Sequence, residues 1–96
     1  MSTTTAKPSE REGFVYMLAT WDGGRPRTYV GWTYDVDARL ARHNAGQGAK
    51  ATKGRAWRVI HVESHPSKQA AMSAEYALKK DRPRRSRLSR QALIRG

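Results

Sequence analysis

Three short stretches of the chain carry the apolar, aromatic and β-branched side chains that are typical of β-strands. They are residues 13–20, 28–32 and 57–63. Two glycines and Pro26 separate the first two stretches, which predicts a turn between the strands of a hairpin. Residues 46–56, before the third stretch, are rich in glycine and lysine and have no apolar period, so they predict a mobile basic loop.

Two further segments have apolar residues at helical spacing. Asp35 is a suitable N-cap for a helix over about residues 36–45, which Gly46 would end, and Ser67 is suitable for a second helix over residues 68–80. The resulting order is strand, strand, helix, strand, helix. This order predicts an α/β (α+β) fold, with a small three-stranded, at least partly antiparallel sheet flanked by helices.

The length of 96 residues favours a single domain, which we expect over residues 12–83. Residues 1–11 are polar and offer nothing to bury, so they predict a flexible N-terminal tail. Pro83 breaks the helical pattern, and residues 84–96 form a basic C-terminal extension. We expect this extension to include a last turn or short helix over residues 87–95 that packs on the domain.

The chain has no cysteine, which excludes disulfides and thiolate zinc sites and makes the reducing cytoplasm the expected compartment. Its N-terminus lacks the apolar core of a signal peptide. No run approaches the ~20 apolar residues of a membrane span, so we expect no membrane partner.

The net positive charge of the chain indicates which kind of partner it binds. The chain has 19 lysines and arginines against 8 acidic residues, a formal charge of +11. Residues 79–95 hold eight of the basic side chains, with Asp81 as the only acid among them. This concentration favours binding to the phosphate backbone of a nucleic acid, with a membrane surface or a merely solvated face as the alternatives.

Candidate chemistry lies between the second strand and the first helix. In an extended strand Tyr29 and Gly31 point to one face, and glycine leaves room there for a backbone or a ligand to approach. Arg39 and His43 are four residues apart on one helix face. Their side chains can therefore converge with that of Tyr29. Glu75 lies on the apolar side of the second helix, where a carboxylate needs a metal or a cation. A base, a cation and a metal-binding carboxylate are what phosphodiester cleavage requires.

At these positions the chain resembles the GIY-YIG endonucleases, in particular their short single-domain members. The resemblance covers roughly residues 13–80. It rests on Phe14-Val15-Tyr16, Tyr29-Val30-Gly31, Arg39, His43-Asn44 and Glu75, in the family's order. One departure is visible, because Phe14 replaces the glycine of the first motif while Tyr16 is intact.

The resemblance implies metal-dependent hydrolysis of nucleic-acid phosphodiester bonds. It implies that Tyr16 and Tyr29 line the site and that one of them activates or orients the attacking water. Arg39 would stabilise the pentacoordinate phosphate, and His43 would bind phosphate or assist proton transfer. Glu75 would bind Mg²⁺, which one carboxylate suits, and Mn²⁺ should substitute for it.

We expect the substrate to be DNA in preference to RNA, single-stranded or branched, because no element resembles a major-groove recognition helix. The residues predicted to contact nucleic acid are Gly31, Asn44, Lys50, Lys53, Arg55, Lys79, Arg84, Arg85 and Arg87. The lysines and the arginine of the loop could equally be solvated charge. The alternative function is a nucleic-acid-binding module with the same fold that does not cleave, or that needs a protein partner for specificity. The oligomeric state is not indicated by the sequence.

Single residues also have ordinary structural interpretations. Each tyrosine could be a strand aromatic, Arg39 a surface cation and Glu75 an ion-pair partner of Lys79. His61 and His65 are interpreted as a strand residue and a loop residue. Trp32 and Trp57 are predicted in the core, and Trp21 beside the turn is expected to pack there rather than to stack on a base.

Overall fold

Three antiparallel strands form one sheet in the order β2-β1-β3. They are β1 (Gly13–Asp22), β2 (Arg25–Thr33) and β3 (Arg58–His65). The predicted fold class is therefore confirmed. Strand β2 begins three residues earlier than predicted, so Pro26 is paired with Trp21 in the ladder rather than placed in a turn. An edge strand tolerates proline because one side of it has no neighbour that needs the missing N–H.

The computed structural model describes residues 11–22, 25–52 and 54–95. The expected flexible tail, apart from Arg11, and the glycines of the predicted turn therefore lie outside the described residues. Lys53, predicted to contact nucleic acid, also lies outside them.

The first two helices lie where the sequence predicts them. Helix α1 (Val36–Asn44) is capped by the Asp35 side chain, which accepts a hydrogen bond from the Ala38 backbone N–H at 3.0 Å. Helix α2 (Lys68–Lys80) is capped in the same way by Ser67. Both caps satisfy N–H groups that the first turn of a helix leaves without a partner.

The third helix is longer than predicted. Helix α3 (Arg82–Arg95) has 14 residues, whereas the sequence predicts a last turn or short helix. Pro83 lies in its first turn, where a missing N–H costs nothing, and the Asp81 side chain accepts a hydrogen bond from the Arg84 N–H. The proline therefore belongs to a helix start. Among the helices that the structure describes, none has the length and apolar character needed to cross a membrane.

Both faces of the sheet are covered, because alternate residues of β1 point to opposite sides. Val15 and Met17 pack with Ala71 and Leu78 of α2, and Leu88 of α3 packs against this cluster. On the other face, residues from the sheet and from α1 form a second cluster. Its buried members are Tyr16, Leu18 and Trp57, with Tyr29, Val36, Leu40 and Val59 packed against them. The candidate site is built on this second face.

Candidate functional site

Tyr16 lies on the central strand, directly opposite Gly31 of β2. Its side chain is 1% exposed, and a Cβ atom added at Gly31 would lie 2.5 Å from the phenol oxygen. Any side chain at position 31 would therefore displace the Tyr16 ring. The space that the sequence indicated for a backbone or a ligand is occupied by this tyrosine.

His43, at the end of α1, is 1% exposed and both of its ring nitrogens have partners. Nε2 lies 3.0 Å from the Tyr16 hydroxyl, and Nδ1 lies 2.8 Å from Thr52 Oγ1. The Thr52 hydroxyl donates its one proton to the Ala49 carbonyl at 2.7 Å, so towards His43 it can only accept. The imidazole therefore carries its proton on Nδ1, and Tyr16 donates to the bare Nε2.

Sequence reasoning missed two residues that hold this imidazole. Thr52 is fully buried in a 3₁₀ turn, Lys50–Thr52, inside the segment predicted to be a mobile loop. A Cβ at Gly48 would overlap the His43 ring, so this position must also lack a side chain. Around His43 the segment is packed, and the prediction of a mobile loop is wrong there. No spacing rule links Thr52 to His43, because the loop that joins them has no regular period.

Tyr29 and Arg39 complete the surroundings of the buried pair. The Tyr29 ring lies 4.9 Å from the His43 ring and 6.3 Å from the Tyr16 ring, measured between centroids. Arg39 lies one helical turn before His43 and is half-buried. Its guanidinium is near enough to the Tyr16 hydroxyl to stabilise the phenolate by charge and by hydrogen bonding.

The electrostatics of the site favour a protonated Tyr16. Burial is the largest cause, and with the neighbouring Tyr29 it raises the pKa of the Tyr16 phenol to about 12 against the opposing effect of Arg39. Glu75 also raises this pKa, which places its carboxylate within electrostatic range of the phenol. At pH 7 about one molecule in 10⁵ would hold the phenolate. Tyr16 is therefore a proton donor to His43 in the resting protein.

Glu75 projects from α2 with its side chain 19% exposed. Its Oε2 lies 3.2 Å from Lys79 Nζ, one helical turn further on, which is the ion pair that the sequence allows as an alternative. No three His, Cys, Asp or Glu side chains of the described residues are grouped so that they could hold a metal. An ion bound at Glu75 would thus take at most two such side chains from the described residues.

Asn44, predicted to contact nucleic acid, is engaged inside the protein. Its side-chain amide donates to the Trp57 carbonyl at 3.0 Å, and its Oδ1 accepts from the Trp57 N–H at 2.6 Å. These two bonds join the end of α1 to the start of β3. The structure therefore gives Asn44 a structural role, and its contact with nucleic acid stays a prediction.

We expect Asn44→Ala to lower the free energy of unfolding by about 1–3 kcal/mol, because two partly buried hydrogen bonds are lost. Urea denaturation followed by circular dichroism measures this, with the exposed neighbour Gln47→Ala as the control. Affinity for nucleic acid, measured well below the unfolding midpoint, tests the predicted contact separately, because it should fall only if Asn44 also touches the substrate. An unaltered stability with weakened binding would contradict the structural role.

The predicted basic contacts differ in how far the protein already uses them. Arg84 donates to Glu63 at 2.8 Å, and His61 and His65 also bond this carboxylate, at 2.8 and 3.1 Å. Burial alone would raise the pKa of Glu63, but the two histidines and Arg84 outweigh burial and lower it. Arg84 therefore ties α3 to β3. His65 is the last residue of β3, so its placement in a loop is wrong.

Arg85 is similarly engaged, since its Nη1 donates to the carbonyls of Leu78, at 2.9 Å, and of Lys79 at the end of α2. Lys50 and Arg87 are exposed, and Arg55 is half-buried. Trp57 is buried as predicted and Trp32 packs against the core. The Trp21 ring is half-buried beneath the guanidinium of Arg58, 4.6 Å from the ring centroid, which fits the expected packing.

The buried imidazole predicts a specific response to acid. Burial, followed by the charges of Arg39 and Arg42, lowers the pKa of His43 from its usual value of about 6.5. The unfolded chain therefore binds this proton at a higher pH than the folded chain does, and stability falls as the pH drops below about 6.5. An NMR titration of the His43 ring should give a midpoint below that value. A midpoint above it would contradict the neutral, proton-accepting Nε2.

The chain is similar in sequence to a known protein family and to several bacterial and archaeal proteins. The family model described as the GIY-YIG catalytic domain matches residues 12–87. A UPF0213 protein of Streptococcus sanguinis is 46% identical over 81 residues, covering 83% of this chain and 88% of that protein. A UPF0213 protein of Halobacterium salinarum is 44% identical over 81 residues, covering 83% of this chain and 96% of that protein.

Among solved structures, the solution NMR structure of a UPF0213 protein from Bacillus halodurans is similar. It is 35% identical, with a TM-score of 0.45, and the match covers 83% of this chain and 84% of that one.

Proposed function

The chain belongs to the GIY-YIG family, and on that premise we propose that it is a metal-dependent endonuclease that hydrolyses phosphodiester bonds, in DNA rather than RNA. The observation that carries this proposal is the buried hydrogen bond from Tyr16 to His43 Nε2, with the Tyr29 ring beside it. Arg39 and Glu75 are close enough to influence the pKa of Tyr16. This hydrogen bond joins a proton donor to a proton acceptor beside a cation and a carboxylate, which are the groups that phosphodiester cleavage requires.

The direction of the hydrogen bond, from the Tyr16 hydroxyl to His43 Nε2, supports activation of water through Tyr16. As the water oxygen bonds to phosphorus, its proton passes to the Tyr16 oxygen, and the proton of Tyr16 passes to His43 Nε2. The bond from phosphorus to the leaving sugar oxygen then breaks, and this oxygen takes the bonding electron pair and gains a proton from solvent water. Because the pKa of His43 is lowered, its Nε2 is bare at neutral pH and ready to accept. This transfer avoids a free phenolate, which the raised pKa of Tyr16 disfavours.

Arg39 acts on the phosphate, and Tyr29 supports the imidazole that accepts the proton. Negative charge accumulates on the phosphate oxygens in the transition state, and a half-buried guanidinium beside the reacting atoms stabilises it. The Tyr29 ring packs on His43 and holds the imidazole in position from the side of β2. Strand β2 places Tyr29, and helix α1 places Arg39.

Glu75 fits a Mg²⁺ ion, since this ion is commonly held by one or two carboxylates and takes its other ligands from water and substrate phosphate. Such an ion would neutralise charge on the phosphate and on the leaving oxygen. Mn²⁺ should substitute for it. Lys79 now neutralises Glu75, so binding of the ion would free this lysine for a phosphate of the substrate.

The experiment that tests the proposal is incubation of the purified protein with labelled single-stranded, duplex, flap and four-way-junction DNA, and with RNA of the same sequences. Each substrate is tested with Mg²⁺, with Mn²⁺ and with EDTA. We expect cleavage of single-stranded or branched DNA with either metal and none in EDTA. Cleavage that persists in EDTA would contradict the role of the metal.

A second candidate function is a binding module that does not cleave alone. The ion pair of Glu75 with Lys79 favours it, because the carboxylate already has a cation, and the charge of +11 is sufficient for binding. Binding without cleavage in any metal would establish this function instead. Cleavage that appears only after a protein partner is added would assign specificity to that partner.

A further inference from the structure

A basic cleft separates α3 from the edge strand β2, on the face of the sheet opposite the candidate site. It has a volume of about 340 Å³ and is open to solvent. The side chains that line it are Thr28, Arg82, Arg85, Ser86, Ser89 and Arg90, together with Pro26. Three arginines and three hydroxyl groups face one space, and none of the described residues that line it is acidic.

Within the described residues, no acidic side chain forms an ion pair with an arginine of the cleft. Arg85 uses one nitrogen for the carbonyls at the end of α2, which fixes its guanidinium in place without cancelling its charge. Arg82 and Arg90 are exposed and form no ion pair with any other residue in the described part of the chain. Like charges that share a cleft repel one another, so an anion bound between them would be favoured. The hydroxyls of Ser86 and Thr28 are further donors for its oxygens.

The position of the cleft indicates which anion this is. Thr28 points into the cleft, and Tyr29, the next residue of β2, points to the opposite face, where the candidate site lies. The outer edge of β2 pairs with no other described strand, so a ligand can pass over it. Arg25 and Arg27 are exposed on the Tyr29 side of this same edge. Positive charge therefore follows the edge on both faces.

We propose that this cleft binds a backbone phosphate of the nucleic-acid strand that crosses the edge of β2 to the candidate site. The proposal rests on the proposed function, since that function supplies the strand. The bound phosphate is not the one that is cleaved but a neighbour of it along the strand. The cleft would thus set where the strand lies relative to Tyr16.

Helix geometry separates the arginines that take part from those that do not. Arg82, Ser86 and Arg90 recur every four residues on the face of α3 that borders the cleft. Arg87 is exposed and lies about 100° around the helix from Ser86, away from the cleft. This proposal therefore differs from the sequence-based prediction and gives Arg87 no phosphate contact. Arg84 is bound to Glu63. A matched pair of substitutions is therefore available on one helix, Arg90→Gln and Arg87→Gln.

The test measures the affinity for labelled single-stranded DNA over a range of KCl concentrations, in EDTA so that no cleavage occurs. We expect Arg90→Gln to reduce the slope of log K against log salt by about 0.7, the value for one phosphate contact on a single strand. Arg87→Gln should leave the slope unchanged. Equal slopes for the two variants would overturn the proposal and indicate diffuse surface charge. Circular dichroism checks that both variants fold.

Neutral methylphosphonate groups, placed one at a time along the DNA, identify the phosphate that is bound. The wild type should lose affinity at one position beside the scissile phosphate, and Arg90→Gln should show no further loss there. If every position affects both proteins equally, the subsite is absent. Titration with inorganic phosphate covers the other source of this chemistry. Binding of phosphate that depends on Arg90 and that DNA does not displace would assign the cleft to a free anion and overturn the proposal.

These outcomes can be separated from those of the proposed function. If Arg90→Gln alone changes the slope but no metal supports cleavage, the subsite stands and the proposed enzyme fails. If DNA is cut but Arg90→Gln and Arg87→Gln bind alike, the enzyme stands and the subsite fails.

Discussion

Replacement of Glu75 by glutamine should abolish Mg²⁺-dependent cleavage while leaving the affinity for DNA in EDTA nearly unchanged. The substitution keeps the size of the side chain and removes the charge that would hold a hard cation. Loss of the ion costs several kcal/mol of transition-state stabilisation, so the rate should fall on the order of a thousandfold or more. Single-turnover cleavage assays and fluorescence anisotropy measure the two quantities. Affinity should not fall, because one repulsive carboxylate has been removed from a basic surface.

The ion pair of Glu75 with Lys79 predicts a different result for the same substitution. If Glu75 only pairs with Lys79 across one turn of α2, the substitution should change stability by about 0.5 kcal/mol and leave cleavage intact. Lys79→Gln removes the same ion pair and keeps the carboxylate, so its free energy of unfolding measures the ion pair without the loss of the metal ligand. Retained Mg²⁺-dependent cleavage in folded Glu75→Gln would disprove the metal-ligand role.

Tyr16→Phe should lower the rate of cleavage by about 10²–10⁴-fold, the range for loss of a positioned proton-transfer group. The phenyl ring still fills the space above Gly31, but His43 Nε2 loses its partner. A buried nitrogen left without a hydrogen bond costs about 1–3 kcal/mol, so the midpoint of urea unfolding should also fall. Rates measured at saturating Mg²⁺, well below that midpoint, separate the loss of chemistry from the loss of stability.

Tyr29→Phe is the matched control for this prediction. Tyr29 contacts the imidazole through its ring, so only Tyr16→Phe should shift the NMR titration of His43. The resemblance to the family leaves open which tyrosine acts on the water, and the hydrogen bond to His43 favours Tyr16. Full activity in Tyr16→Phe together with an inactive Tyr29→Phe would reverse this assignment.

The features that sequence alone determined are local ones. The starts of α1 and α2 were predictable because Asp35 and Ser67 cap N–H groups three residues away, and such contacts need no tertiary structure. The alternation of side chains placed Tyr29 and Gly31 on one face of β2. Helical spacing placed Arg39 and His43 one turn apart. The strand and helix periodicities therefore limited the candidate residues to one face of β2 and one face of α1.

Sequence patterns failed where a local signal had two meanings. Proline is accepted both in a turn and on an edge strand, so the start of β2 at Arg25 depended on which edge of the sheet it occupies. Within a helical pattern, a proline can likewise mark the end of one helix or the first turn of the next. Pro83 begins α3, because Asp81 caps the new helix and Leu88 packs on the core.

Tertiary structure alone decided which residues share a hydrogen bond or a cleft. The pairing of β1 with β2 placed the Tyr16 ring over Gly31. The fold of an irregular loop brought Thr52 within hydrogen-bond distance of His43, and this bond determines which imidazole nitrogen carries the proton. The packing of α3 turned Arg84 towards Glu63 and Arg90 towards β2. In the sequence, Arg84 and Arg90 are both basic residues of one segment, and nothing distinguishes their roles. Their different partners follow from the direction in which a packed helix presents each side chain, and that direction is determined only when the core forms.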